Sequence, residues 1–217
     1  MAEEVLPQVH AVRLRVADLD TNGVPLPGAG HLYVSGALTT LSMSPQYRDG
    51  AEVEEPNGTG EVCVYYQGRP SFKRLDVSLE LCTPDPYLDK ILERGSVLAA
   101  GGGRPPGYAL PEFGPLGGNG VSIEVWARRV NDGDMDPDYP YAWWTLPKVV
   151  NLRPGDREIG NSAQKPTKSG NAVQNPNWFD GPANDWPVAS DRAAQWVPCT
   201  AAEMPDAHTG PLTLPVS

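Results

Sequence analysis

The chain has 217 residues and a formal net charge of -10, with a sequence pI of about 4.7, a balance that disfavours unassisted binding to nucleic-acid phosphates. Its 23 glycines and 24 prolines exclude a helix-rich fold and demand many turns, while 40% hydrophobic residues still suffice for one sizeable core. Three cysteines, Cys63, Cys82 and Cys199, are an odd number without metal-ligand spacing.

At the N-terminus acidic residues stand where a signal peptide needs positive ones, and no run approaches the length of a membrane span. The expectation is a soluble product of a reducing cytoplasm. From Val9 to Val16 the chain alternates, with Arg13 and Arg15 on one face and Val12, Leu14 and Val16 on the other, as a half-buried strand requires. The loop Asp20–Gly30 follows, then short strands at His31–Ser35 and Ala37–Met43. Ser44–Gly60 is acidic and rich in turn residues, which predicts a surface loop.

The strongest strand patterns are Glu61–Tyr66 and Arg74–Leu81. In the second, Leu75, Val77, Leu79 and Leu81 share one face and Arg74, Asp76, Ser78 and Glu80 the other. Cys63 and Cys82, inside these apolar runs, are expected to be buried small hydrophobes. Thr83–Arg94 reads as a helix, with Thr83 as cap, Pro84 in the first turn, and a Leu88, Ile91, Leu92 stripe for packing; Gly95 is expected to end it. Gly101–Gly120 is an unpatterned connection.

Val121–Val130 is a further strand, with Val121, Ile123 and Val125 set against Ser122, Glu124 and Trp126. Trp143–Asn151 adds another, which Pro147 should confine to an edge or a bulge. After Leu152 hydrophobic periodicity fades, and Trp178, Phe179, Trp186 and Trp196 recur at wide intervals. The expected organisation is a β-sandwich domain over 1–151 with a helix near 84–94. A C-terminal extension over 152–217 would pack on that domain and on neighbouring subunits.

Candidate chemistry is sparse. Asp132, Asp134, Asp136 and Asp138 stand at every second residue, the spacing by which a calcium loop gathers oxygens. The match breaks at the sixth position, Pro137, and the twelfth, Trp143, so the alternative is a solvated acidic hairpin tip. His10, His31 and His208 are scattered, and none adjoins a Ser or Cys in a nucleophile motif. Gly101–Gly103 lack the Gly-Lys-Ser/Thr ending of a phosphate loop. The expectation is a non-enzyme, with no catalytic, cofactor or metal residues assigned. Trp178 and its neighbours either pin the chain to its own domain or anchor on another subunit.

The Leu38–Pro86 segment resembles the front half of the major tail proteins, the tail tube proteins, of long-tailed bacteriophages that infect actinobacteria. The residues carrying it are Ser44, Pro45, Tyr47, Asp49, Gly50, Asn57, Gly58, Gly60, Lys73, Arg74 and Cys82 to Pro86. Trp144–Asp185, with its Asn-Pro-Asn-Trp and Asp-Trp-Pro elements, resembles that family's later region, whereas the Asp132–Asp138 run does not.

The resemblance implies a mainly β fold: a tail-tube-type β-sandwich or barrel with one flanking α-helix, long loops and an extended C-terminal arm. It further implies a virion structural protein assembled in the host cytoplasm into hexameric rings. Those rings stack as a tail tube through which DNA passes at ejection without specific binding. Implied partners are further copies of the chain, a tape measure protein, a tail terminator and a distal tail protein, with no membrane involved. Two alternatives stand beside this reading. One is a calcium-dependent glycan-binding β-sandwich, with the Asp132–Asp138 run holding the ion and Trp143, Trp144 and Trp178 lining a groove. The other is a different virion component, such as a distal tail or terminator protein.

Overall fold

Alternating side chains and frequent turns produce thirteen described strands and one α-helix in the computed structural model, which describes residues 7–26, 30–99, 102–111, 118–131, 133–157, 160–161, 163–178 and 191–205. In chain order these are β1 (Gln8–Asp18), β2 (Leu32–Ser35), β3 (Leu38–Arg48), β4 (Glu52–Pro56), β5 (Val62–Gln67), β6 (Ser71–Leu81), α1 (Pro86–Glu93), β7 (Ser96–Leu98) and β8 (Gly107–Ala109). They continue with β9 (Val121–Asn131), β10 (Asp134–Met135), β11 (Tyr141–Pro154), β12 (Thr167–Val173) and β13 (Gln195–Cys199). One antiparallel sheet runs β2-β1-β9-β11-β12-β6-β3, with β10 added to β9 and β13 to β11; β4-β5 and β7-β8 are separate hairpins.

The long strand β11 serves both halves of a sandwich. Tyr141–Thr145 lies between β9 and β13, whereas from Lys148 onward β11 pairs with β12. The changeover falls at a register break between Leu146 and Val149, which contains Pro147. Proline cannot donate to a ladder, so it sits where the ladder is interrupted. Of the two placements open to Pro147, the irregularity is the one adopted. Leu14, Val16, Ile123 and Val125 from one half meet Leu75, Val77, Leu79 and Leu81 from the other in a single core. Each such side chain contributes roughly 1.5–3 kcal/mol when fully buried. Leu88, Ile91 and Leu92 of α1 join the same cluster.

The helix begins two residues later than its sequence suggested. Asp85 is the cap, accepting from the backbone N–H groups of Tyr87 (3.0 Å) and Leu88 (3.3 Å), with Pro86 in the first turn. In Thr83-Pro-Asp-Pro86 both Thr-Pro and Asp-Pro can open a helix; the Asp85 carboxylate also accepts from the Tyr33 hydroxyl at 2.5 Å, which the Thr83 register would forgo. The left-handed residue that ends the helix is Arg94 (φ 64) rather than Gly95. Its guanidinium binds Asp18 and the Gly120 carbonyl. Gly95 is required for a different reason: a Cβ there would lie 2.2 Å from the Tyr108 hydroxyl.

Two further expectations are corrected. The Arg13/Arg15 face of β1 and the Ser122/Glu124/Trp126 face of β9 do not all face solvent. Leu19, Trp126, Trp143, Trp178 and Cys199 form a second core over them. Beneath it Arg15 makes a bidentate pair with Glu124 (2.5 and 2.7 Å), Glu124 also accepts from Trp143 Nε1 (3.1 Å), and Arg15 lies over the Trp126 ring. Burial is possible because each charge is paired.

The second correction concerns the chain after Leu152, which is not merely an extension laid on a finished domain. β12 occupies an interior place between β11 and β6. It lacked hydrophobic periodicity because its core-facing side is built from Lys168, Gly170 and Ala172. The lysine is neutralised by Asp89 and Glu93 of α1, and Gly170 leaves room for Leu152.

The expectation that Cys63 and Cys82 are buried is overturned as well. Cys63 and Cys82 are exposed and Cys199 is buried, because β5 lies outside the core and Cys82 falls just beyond the end of β6. Burial pushes the Cys199 thiol from an ordinary 9.0 up to about 12. Burial, and then the charge of Asp89, push the Tyr108 hydroxyl from 10.0 up to about 12. For both groups the fold favours the protonated form. Their contribution is therefore complete below the unfolded values and is lost as pH rises toward 12. Lys168, whose pKa burial lowers, acts in the opposite sense over the alkaline range. The melting temperature of Cys199→Ala should fall less between pH 9 and 12 than that of the wild type. Thermal melts across that range check this, and equal losses would remove Cys199 from the account.

Candidate assembly surface

Two exposed features stand out: an arm and a polar sheet face. The arm continues the β3–β6 ladder outward through Gly50 and Gly68, where the two chains come close. A Cβ on Gly50 would fall 1.9 Å from the Gly68 carbonyl oxygen, and Gly68 N–H donates to the Ala51 carbonyl (2.9 Å). Beyond this point β4 and β5 form a hairpin whose turn is organised by Asn57. Its side-chain oxygen accepts from the N–H groups of Thr59 and Glu61, both at 2.9 Å.

Every residue of β4 and β5 is exposed. The Ser44–Gly60 stretch expected as a loop therefore carries the end of β3 and all of β4. The apolar residues of β5, expected to be buried, are not. The reason is local: the Asn57–Gly60 turn and cross-strand pairing fix the hairpin without a core beneath it. Val53 pairs with Tyr66 and Glu55 with Val64, while Glu52 pairs with Gln67 and Glu54 with Tyr65. One face of the arm is thus largely apolar and the other largely polar, on alternation grounds. Tyr65 and Tyr66 are 59% and 61% exposed. At the arm's base Tyr47 and Phe72 meet edge to face (6.1 Å) and are also exposed. An isolated two-stranded hairpin is marginal in water, and an exposed apolar patch marks a contact surface.

The second feature is the outward face of β11-β12-β6-β3, the side of that half-sandwich opposite the core. Pairing aligns Ser42, Ser78 and Ser169 in one row and Ser44, Asp76 and Asn171 in the next. Asn151 and Arg153 complete an open groove of about 670 Å³. Arg74 Nε lies 2.8 Å from Asp76 Oδ1, a pair whose side chains are 44% and 36% exposed. These rows are hydroxyls, an amide and the Asp76 carboxylate, and no histidine is among the residues lining the groove. His10 is exposed in an irregular part of β1, with φ 54, and His31 Nδ1 lies 3.2 Å from Asp18 Oδ2.

The other residues singled out by sequence fall as follows. Asp132 lies outside the described residues. Asp134 is exposed on β10. Asp136 accepts from the Tyr139 and Asp138 N–H groups (3.1 and 3.0 Å) and pairs with Arg129 at 3.1 Å. The Tyr139 N–H, then those of Asp138 and the Arg129 charge, hold its carboxyl below the usual value. The counter-charge of Asp136 is thus an arginine on β9. Among the described residues no three His, Cys, Asp or Glu side chains gather as metal ligands.

Trp143 and Trp178 are each 2% exposed in the second core, so the groove of three tryptophans expected for a glycan is not formed. Trp178 pins the chain to its own domain. Trp144 stands beside Trp196 of β13, with ring centres 6.1 Å apart. Phe179, Trp186 and His208 lie outside the described residues. Among the described residues no helix is long and apolar enough to cross a membrane.

No family model matches this chain, and no curated protein matches it. Among solved structures it is similar to a chain of the six-fold symmetrised anti-feeding prophage baseplate. That match has 15% identity and a TM-score of 0.31, and it covers 77% of this chain and 92% of the other.

Proposed function

We propose that this chain is a structural protein of a phage virion, and within that class a tail tube subunit. Hexameric rings of it stack into the conduit for DNA ejection. The observation that carries the reading is the β4–β5 arm: largely apolar on the face of Val53, Val64 and Tyr66, acidic at Glu52 and Glu54 on the other, and left uncovered by its own domain. The arm is built from the same Leu38–Pro86 segment that resembles the tail tube family. A surface used only by other copies needs this combination of local rigidity and unsatisfied apolar area.

The half-sandwich β11-β12-β6-β3 suits the inward wall of such a ring. Among the described strands β3 ends the order and pairs with β6 alone, and closing rings through sheet edges protects them from uncontrolled pairing. Stacking along the axis is heterologous, so it extends as a filament rather than closing on itself. Tape measure, terminator and distal tail proteins are the partners this role requires. Catalysis plays no part in it; the chain acts by geometry.

Sedimentation velocity of the full chain over rising concentration tests ring formation. The expected boundary is a hexamer or a larger species. A monomer that persists at every concentration removes the reading. Rings that never lengthen move it to a terminator-like or distal tail component.

A further inference from the structure

We propose that Asp76 masks Arg74 and thereby keeps the outward face of β11-β12-β6-β3 from holding a polyanion. The inference rests on the tube reading for its purpose, since a conduit wall must let DNA pass, but the charge arrangement is a property of the single subunit. The face carries two guanidinium groups, Arg74 on β6 and Arg153 on β11, along an open groove of about 670 Å³. Arg153 pairs with Ser169 at the end of the row Ser42, Ser78, Ser169, and Arg74 stands two residues before Asp76 on β6, beside the row of Ser44 and Asn171. Hydroxyl and amide donors with two guanidiniums are the groups that bind phosphate oxygens in nucleic-acid complexes. Within the groove the opposing carboxylate is Asp76; Glu80, farther along the same face of β6, is taken up by Lys165. Asp76 occupies the central strand of its row, between Ser44 and Asn171, and engages Arg74 Nε at 2.8 Å.

Two effects follow from that position. The carboxylate occupies a donor that would otherwise meet a phosphate, and it places a negative charge in the path of an incoming one. A partly exposed pair of this kind contributes little to folding, so its effect is sought in ligand binding. If Asp76 is neutralised, the groove presents two uncompensated cations. Two phosphate contacts on duplex DNA correspond to a slope of about -1.8 in log affinity against log salt.

The test uses the full chain with a short fluorescein-labelled DNA duplex, read by anisotropy at low and rising salt. Wild type should show no saturable binding. Asp76→Asn and Asp76→Ser, the second matching the surrounding hydroxyls, should each gain on the order of tenfold or more in affinity, with the salt slope given above. Adding Arg74→Gln to Asp76→Asn should return affinity to the wild-type level. Three results overturn the proposal: no gain in either single variant, equal binding by wild type, or a gain that survives Arg74→Gln. Failure of the tube reading appears elsewhere, as absent rings in sedimentation, while the DNA titration remains readable on the monomer.

Discussion

Replacing Lys168 by methionine is expected to cost about 3–5 kcal/mol of folding stability, the usual penalty for removing one partner of a buried ion cluster. Lys168 is 1% exposed in β12, with its ammonium 2.8 Å from Asp89 Oδ1 and in contact with Glu93. Both carboxylates lie on α1 and are about as buried. Arg157 approaches Glu93 at 2.8 Å and Asp89 at 3.5 Å, but it is partly exposed. Tyr108 donates to Glu93 at 3.0 Å. Without the lysine, one arginine at the rim would have to satisfy two buried carboxylates. Lys165→Met is the internal control, because Lys165 meets Glu80 at 3.7 Å on the surface and should cost well under about 1 kcal/mol. Denaturant titration of both variants checks the contrast. A loss below about 1 kcal/mol for Lys168→Met would mean the cluster is not what fastens α1 to β12.

Excising the arm should have the reverse profile, with folding kept and assembly lost. Gly50 and Gly68 already lie against each other, so deleting Ala51–Gln67 leaves a Gly-Gly junction of the kind tight hairpins favour. No residue of β4 or β5 belongs to either core. The melting transition should therefore match the full-length protein within about 0.5 kcal/mol, as for surface changes generally. Stacking of rings should disappear, because the arm's apolar face has no other role in the subunit. Thermal melts paired with electron microscopy of the variant read both halves of the prediction. Tubes of ordinary length from the deleted chain would take the arm out of the assembly account.

Legibility in the sequence followed how many faces of an element the core uses. β6 was readable because Leu75, Val77, Leu79 and Leu81 bury one face while the other stays polar. The α1 stripe was readable for the same reason, although its cap slipped to Asp85 because two Thr/Asp-Pro steps compete. β9 was half-readable: Glu124 looks like a solvent residue until Arg15 and Trp143, both distant in sequence, are brought to it. β12 was invisible, since a lysine, a glycine and an alanine carry its inward side and only the acids on α1 explain the lysine.

The arm was misread in the opposite direction. The alternation of Val62, Val64 and Tyr66 fits a buried strand and an exposed hairpin equally well, and only placement beyond Gly50 and Gly68 decides. For the candidate assembly surface, the Asn57–Gly60 turn was the available signal, because it marks a hairpin. The alternating aspartates left two readings open, a cation loop and a solvated acidic tip. The pairing of Asp136 with Arg129 on β9 is a long-side-chain contact that spacing alone does not reveal.

The most direct measurement is electron microscopy of the concentrated full-length protein. Hollow tubes built from stacked six-fold rings are the predicted result, with the arm bridging from one ring to the next. Dispersed monomers at every concentration, or closed particles of fixed size, would contradict the claim that this chain works by stacking into a conduit.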